Sequence, residues 1–296
     1  MRRSLLIATL LLTALPAAAA GADHAPADVP NVTARLLPIQ TALEPGEVFP
    51  VGIHLTMAKG WHVYWKNPGE AGLPTRVEWT LPDGFRPGAL QWPVPIRFTM
   101  PGNITAFGYA GQVALIALIT VPEDLGDRKK VTLKAKVSWL GCNGTCIPGE
   151  AVVQATLPVG RAAESAPNAL LQRWTARLPV DASSQQSPAR VTVSGGSGFP
   201  PEGSWTVRLD WRRPVRGVGG FPVPGAALNL SDVAIRSDPG GRRTRITFTA
   251  RVLKGQTLDR DTMEWVLAYT DANGERRGIR IDVPLPAAKK AKPADP

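Results

Sequence analysis

The stretch VTLKAKVSWLGCNGTCIP, residues 131–148, contains both cysteines of the 296-residue chain. Its first part, residues 131–137, alternates apolar and polar side chains, which is the pattern of a half-buried β-strand. Asn143-Gly144 follows, and this dipeptide is a strong signal for a tight turn between antiparallel strands. We therefore predict a hairpin whose three-residue loop separates Cys142 from Cys146 and brings the two side chains within disulfide distance.

Similar strand patterns recur along the rest of the chain. The chain contains 29 Gly and 29 Pro together with many Val and Thr residues, and this composition favours short strands joined by turns. One segment differs, because the spacing of Leu170, Trp174 and Leu178 predicts a short amphipathic helix within residues 167–178. The predicted strands cover residues 32–37, 48–57, 61–65, 77–81, 113–121, 131–137, 151–157, 205–211, 243–252, 264–270 and 279–283, with an edge strand or extended loop at 91–98.

The predicted fold class is all-β, with one β-sandwich followed by a second, smaller β-sandwich. About 270 residues remain after removal of an N-terminal signal, which is enough for two modest hydrophobic cores. The predicted divisions are a signal peptide at 1–22, a first domain at 23–160, a helical segment and linker at 161–189, a second domain at 190–286 and a disordered tail at 287–296.

The N-terminus has the pattern of an export signal. Arg2 and Arg3 precede an apolar run at 5–15, and small residues follow up to Ala22, as in a secretory signal peptide. The run is too short for a membrane span, so we expect an exported, soluble protein in an environment that favours disulfides. The formal charge is +10, but the basic residues are scattered rather than interleaved with aromatics, which argues against a nucleic-acid groove.

The residues alone leave three roles open for the cysteine pair. A structural staple would contribute little, because a closed loop of about 5 residues restrains the unfolded chain by roughly 2 kcal/mol, against about 5 kcal/mol for a loop of about 100 residues. A redox pair is favoured because a tight loop makes a disulfide easier to reduce. A metal clip for a soft ion such as Cu(I) is the third role. Its further ligands would come from His54, His62, Met57 and Met100.

Other parts of the sequence carry motifs that occur together with this cysteine pair. The motifs are GWHVYWKNPG (60–69), Leu73-Pro74, LPDGF (81–85), QWP (91–93), FGYAG (107–111), SWLGC (138–142) and CIP (146–148). Taken in order, they resemble the periplasmic N-terminal domain of DsbD/ScsB-type thiol:disulfide interchange proteins, and more closely the ScsB-like branch associated with copper tolerance. The resemblance extends over residues 30–160.

The resemblance implies an immunoglobulin-like β-sandwich whose cysteine pair cycles between dithiol and disulfide without a bound cofactor or metal. The implied activity is that of a protein-disulfide reductase, which passes electrons to periplasmic thioredoxin-like client proteins through a mixed disulfide. Family members continue into a membrane domain and a thioredoxin-like domain, and we expect neither in this chain. The expected electron donor is therefore a separately encoded membrane-embedded or thioredoxin-like protein. We expect a periplasmic location with no stable membrane span.

The resemblance also implies roles for individual residues. Cys146 would form the mixed disulfide with the client, and Cys142 would resolve it. Tyr64 would lie beside the pair, and Trp92 would belong to a cap that shields the sulfurs. Further supporting candidates in the matched motifs are His62, Trp139 and Pro148. The alternative is a non-catalytic periplasmic binding module or a copper-handling protein, in which the cysteines are structural or act as ligands.

Overall fold

A computed structural model describes residues 31–161, 168–197, 199–258 and 260–285. The predicted signal peptide at 1–22 and the predicted tail at 287–296 lie outside these residues. The described residues form one compact unit. The predicted domain boundaries at residues 160 and 190 therefore stay predictions.

The first half of the described chain forms two antiparallel sheets. One sheet has the strand order β1-β2-β8-β5, and the other has the order β10-β9-β3-β7-β6. Strand β9 is long enough to pair with both β3 and β4 along the same edge. The strands are β1 (Val32–Pro38), β2 (Val48–Met57), β3 (His62–Gly69), β4 (Arg76–Thr80), β5 (Arg86–Pro87), β6 (Ile96–Met100), β7 (Ile104–Ala110), β8 (Gln112–Thr120), β9 (Lys130–Asn143) and β10 (Thr145–Pro158).

The core of this first sandwich lies between its two sheets. Strand β2 contributes Val51, Ile53 and Leu55, which alternate along the chain and are fully buried. On β9, Leu133 and Val137 are buried in the same cluster. Because side chains alternate between the two faces of a strand, the period-two pattern of the sequence places these residues on the inner face.

The second half of the described chain repeats the two-sheet arrangement. One sheet has the order β11-β18-β17-β14, and the other has the order β12-β13-β16-β15. The nearly all-β architecture confirms the predicted fold class, an immunoglobulin-like sandwich followed by a smaller one. The elements are α1 (Ala169–Thr175), β11 (Val180–Asp181), β12 (Ala189–Gly195), β13 (Glu202–Trp211), β14 (Arg216–Val223), β15 (Leu228–Ser237), β16 (Arg243–Val252), β17 (Thr262–Thr270) and β18 (Arg276–Pro284).

The helix between the two sandwiches is shorter than the predicted segment. It spans Ala169–Thr175, and the side-chain oxygen of Asn168 accepts hydrogen bonds from two backbone N–H groups of the first turn, as a capping residue does. Its buried residues are Leu171 and Trp174. Leu178, which was predicted as part of the apolar stripe, lies beyond the end of the helix. The predicted helix was therefore too long, although Leu178 still packs against the same hydrophobic cluster as Leu170 and Trp174.

The predicted linker at 181–188 is attached to the second sandwich. Asp181 belongs to β11, which pairs with β18, and its carboxylate forms an ion pair with Arg280. Ser187 is buried, and its hydroxyl donates a hydrogen bond to the carbonyl of Ala189. This segment is therefore part of the sandwich edge.

The two sandwiches share an apolar contact around one side chain of β14. Phe221 is 3% exposed and belongs to the hydrophobic cluster of the first sandwich. Its ring meets Phe107 edge-on at 5.1 Å and Trp65 edge-on at 6.1 Å between centroids. Beside it, Lys66 forms an ion pair of 2.5 Å with Glu264 of β17. This contact fixes the second sandwich against the strands that carry the candidate site.

Candidate functional site

The predicted hairpin between the two cysteines is present. Strands β9 and β10 pair along their whole length, and Cys142 lies directly opposite Cys146 with the Cα atoms 4.1 Å apart. The side chains form a disulfide. Gly144 is at the tip of the loop with a φ of +72°, a conformation that glycine adopts without steric cost. The Asn-Gly sequence therefore accounts for the loop.

The two cysteines differ in their access to solvent. Cys142 is only 2% exposed, because β9 lies inside its sheet, between β10 and β3. Cys146 is exposed together with the next two residues, Ile147 and Pro148, because β10 is the edge strand of the sheet. The fold therefore presents the second cysteine to solvent and covers the first.

Tyr64 lies directly beneath the disulfide. Its hydroxyl donates a hydrogen bond to Sγ of Cys142 at 3.2 Å and lies 3.6 Å from Sγ of Cys146. It also contacts Sδ of Met100 at 3.6 Å. Burial raises the pKa of Tyr64, so the hydroxyl stays protonated and available as a donor at neutral pH. The ring rests against Gly72, where a Cβ atom would lie 2.2 Å from a ring carbon.

A second group of side chains packs around the cluster that contains the buried cysteine. Phe98 and Met100 on β6 pack with Leu140 against the cluster formed by Tyr64, Ala106 and Cys142. The imidazole of His62 lies over the ring of Phe98, with centroids 4.4 Å apart. Burial lowers the pKa of His62, so the imidazole is neutral at neutral pH, and its Nε2 atom is buried without a hydrogen-bond partner. We call Phe98, Met100 and His62 the cover of the site.

The structure places the other predicted site residues in different surroundings. Trp139 lies on β9 opposite Gly149, where a Cβ atom would be 2.6 Å from the indole nitrogen. Pro148 is exposed on the edge strand opposite Leu140. Trp92 packs on the main core and lines a cavity beside Leu178 and Val266. It therefore lies in a different cluster from Tyr64 and Cys142.

Sequence reasoning missed Phe98 and the covering role of Met100. A signal for both residues was available, because 96–100 alternates and is followed by Pro101-Gly102, a turn that folds β6 back onto β7. Trp92, which lies in the same proline-rich segment, was instead predicted to shield the sulfurs. Which of these aromatics joins the cluster around Cys142 depends on the pairing of β6 with β7 and of β7 with β3.

The candidate metal ligands are divided between the two sheets. His62 and Met100 belong to the layer around the cysteines. Met57 is buried in the core, and His54 is buried on β2, where Ala114 of β8 is its partner in the sheet. Among residues 31–161 and the later described segments, no group of three His, Cys, Asp or Glu side chains is placed to hold a metal ion.

Known protein families and solved structures include proteins similar to this chain. Residues 33–158 match the family model described as thiol:disulfide interchange protein DsbD, N-terminal. The N-terminal periplasmic domain of ScsB from Proteus mirabilis matches with a TM-score of 0.54 and 17% identity, over 86% of this chain and 92% of that chain. At this identity the structural likeness concerns the fold.

A second solved structure matches much more weakly. It is the collagen binding domain of the Erysipelothrix rhusiopathiae surface protein RspB, with a TM-score of 0.24 and 10% identity over 86% of this chain and 93% of that chain. No curated protein sequence matches the chain. The family match over 33–158 contains both cysteines, Tyr64 and the cover, and this segment is similar to the N-terminal domain of DsbD-type thiol:disulfide interchange proteins.

Proposed function

We propose that the protein is a thiol–disulfide exchange protein that passes electrons to exported client oxidoreductases through Cys142 and Cys146. The observation that carries the proposal is the unequal access to the two cysteines: Cys146 is exposed on an edge strand, and Cys142 is 2% exposed and in contact with Tyr64. A structural disulfide has no need for such a difference. An exchange protein needs one sulfur that a client can reach and a second sulfur that stays protected until the first has reacted.

The proposed cycle starts from the reduced pair. The thiolate of Cys146 attacks one sulfur of the client disulfide, the other client sulfur leaves as a thiolate, and a mixed disulfide forms. The thiolate of Cys142 then attacks Sγ of Cys146, which releases the second client sulfur and closes the protein disulfide. Two electrons have passed to the client. The hydroxyl of Tyr64, 3.2 Å from Sγ of Cys142, would stabilise the resolving thiolate by a hydrogen bond.

The proposed partners are thioredoxin-like proteins outside the cytosol. We propose a periplasmic location and an electron donor that is encoded separately, either membrane-embedded or thioredoxin-like. Among the described residues, no helix is both long and apolar enough to cross a membrane. The exposed Ile147 and Pro148 beside Cys146 would provide the apolar contacts for a docking client.

A reduction potential tests the proposed function. The purified protein is equilibrated with thioredoxin and glutathione redox buffers, and its free thiols are counted by mass after alkylation. We expect a potential between about −300 and −120 mV, the range of exchange proteins. We also expect the disulfide to be reduced by a stoichiometric amount of a reduced thioredoxin-like protein. A potential well below about −300 mV, where structural disulfides lie, would contradict the proposal.

The cover should slow the reaction of the disulfide with small reductants. Phe98→Ala removes the ring that packs against the cluster containing Cys142, so we expect reduction by dithiothreitol to become about tenfold faster, because access controls exchange. The measurement is the rate of thiol appearance under pseudo-first-order conditions. Val152→Ala is the matched control, because Val152 is 72% exposed on the same hairpin. An unchanged rate in the Phe98 variant would show that the ring does not limit access.

A second candidate function is Cu(I) binding by the reduced pair. Two observations favour it: Met100 lies beside Tyr64 at the disulfide, and the buried Nε2 atom of His62 has no hydrogen-bond partner. Thiolate, thioether and imidazole groups suit a soft ion. Titration of the reduced protein with Cu(I) in competition with a chelator distinguishes the two functions, because tight stoichiometric binding that is lost in Met100→Leu supports a copper site.

A further inference from the structure

We propose that the protein binds a small organic molecule with two or more acidic groups in a cavity remote from the disulfide. The cavity has a volume of about 610 Å³ and lies between the segment before β6, the end of α1 and the start of β18. Its volume lies within the range of about 300–1,000 Å³ that is typical of small-molecule sites. Four arginines and one glutamate are among its lining residues: Arg173, Arg177, Arg276, Arg277 and Glu275.

Three of these arginines have no acidic partner in the described chain. Glu275 is already engaged by Arg277, which also pairs with Asp271. The residues described by the structure provide no carboxylate for Arg173, Arg177 or Arg276. Within the described residues these three guanidinium groups have no ion-pair partner, and a bound oxyanion would provide one through charge-assisted hydrogen bonds.

The guanidinium of Arg276 is the most constrained of the three. It donates a hydrogen bond to the carbonyl of Pro95 and lies over the ring of Phe221, 6.0 Å from its centroid. Partial removal from water lowers the pKa of Arg276, although the residue keeps exposed surface. A guanidinium has five N–H donors, so Arg276 has donors left for a ligand after its bond to Pro95. A partly desolvated cation with spare donors is a favourable partner for an acidic group.

The walls of the cavity are held in place by bonds that join three elements. The N–H of Val94 donates to the carbonyl of Arg177 at 3.4 Å, and the guanidinium of Arg277 donates to the carbonyl of Ala176 at 3.2 Å. The guanidinium of Arg177 is stacked 4.6 Å from the ring centroid of Trp174. These contacts orient Arg177 and Arg277 before any ligand arrives, which reduces the entropy that binding must overcome.

The apolar residues between the arginines indicate which class of ligand the cavity would bind. Val94 and Ile96 form part of the wall, and Ile96 is 37% exposed. An inorganic anion would use the arginines alone. An organic polyacid would also cover this apolar surface and would reach more than one guanidinium. Three guanidinium groups that have no acidic partner among the described residues surround one cavity. They therefore match a di- or tricarboxylate, or a phosphate ester, better than a single small anion.

Titration calorimetry with citrate as the probe tests this site in the purified protein. We expect saturable citrate binding that weakens by about tenfold in Arg173→Gln, corresponding to about 1.4 kcal/mol, and by a similar factor in Arg177→Gln. Both side chains are exposed, so the variants should fold. Arg208→Gln is the matched control, because Arg208 is an exposed arginine of β13 outside the cavity.

Further probes distinguish binding of an organic polyacid from binding of an inorganic anion and from an effect of ionic strength. Inorganic phosphate should bind at least tenfold more weakly than citrate, and sodium chloride at equal ionic strength should not reproduce the citrate signal. Equal affinity for phosphate and citrate would overturn the organic polyacid. An equal loss in Arg208→Gln, or no saturable citrate binding, would overturn the site itself. Neither result bears on the disulfide, whose potential is measured separately.

Discussion

Cys142→Ala is expected to accumulate a stable mixed disulfide between Cys146 and a thioredoxin-like client, whereas the unaltered protein shows almost none. Cys146 is exposed on the edge strand and can attack a client, while the group that would release the client is missing from this variant. We expect at least about a tenfold increase in adduct, because resolution by a neighbouring thiolate is the step that normally removes it. Non-reducing electrophoresis and mass spectrometry of the adduct measure the effect.

The reciprocal variant is the control. In Cys146→Ala the remaining sulfur belongs to Cys142, which is 2% exposed and packs in one cluster with Tyr64. This variant should form little adduct, although it also keeps one thiol. Equal adduct from both variants would contradict the assignment of roles. No adduct from either variant, combined with a potential below about −300 mV, would leave the disulfide a structural staple.

Phe221→Ala is expected to lower the free energy of unfolding by about 3–5 kcal/mol. The ring is 3% exposed and packs edge-on against both Phe107 and Trp65 of the first sandwich. Its removal leaves a cavity at the contact between the two sandwiches, and Arg276 loses the ring beneath its guanidinium. Urea unfolding followed by tryptophan fluorescence measures the change, and the slope of the transition shows whether unfolding stays cooperative.

Val233→Ala provides the comparison for this stability effect. Val233 is 47% exposed in the second sandwich, so its truncation should change the unfolding free energy by less than about 0.5 kcal/mol. A loss below about 1 kcal/mol in Phe221→Ala would mean that the contact between the sandwiches adds little to stability. A split into two transitions would mean that the ring also couples their unfolding.

Much of the fold follows from local pattern. Alternation places β2 at 48–57 and β16 at 243–252, with the observed bounds. Asn143-Gly144 between two alternating segments specifies the hairpin and the facing cysteines. These features depend on side-chain period and turn chemistry, which act over a few residues. The helix length was predicted less well, because packing against β8 and not propensity decides where such a short helix ends.

The same distinction between local pattern and tertiary structure applies to the candidate site. By itself the sequence determined the strands, the hairpin and the proximity of Cys142 to Cys146, because neighbouring residues contain that information. The tertiary structure alone decided that β9 lies inside a sheet and β10 at its edge, and hence which sulfur solvent reaches. It also placed Phe98 in the cluster that contains the buried cysteine, and Trp92 on the main core. The reason is that exposure and cover depend on pairing between strands distant in sequence, and each strand fits several partners equally well until the whole sheet assembles.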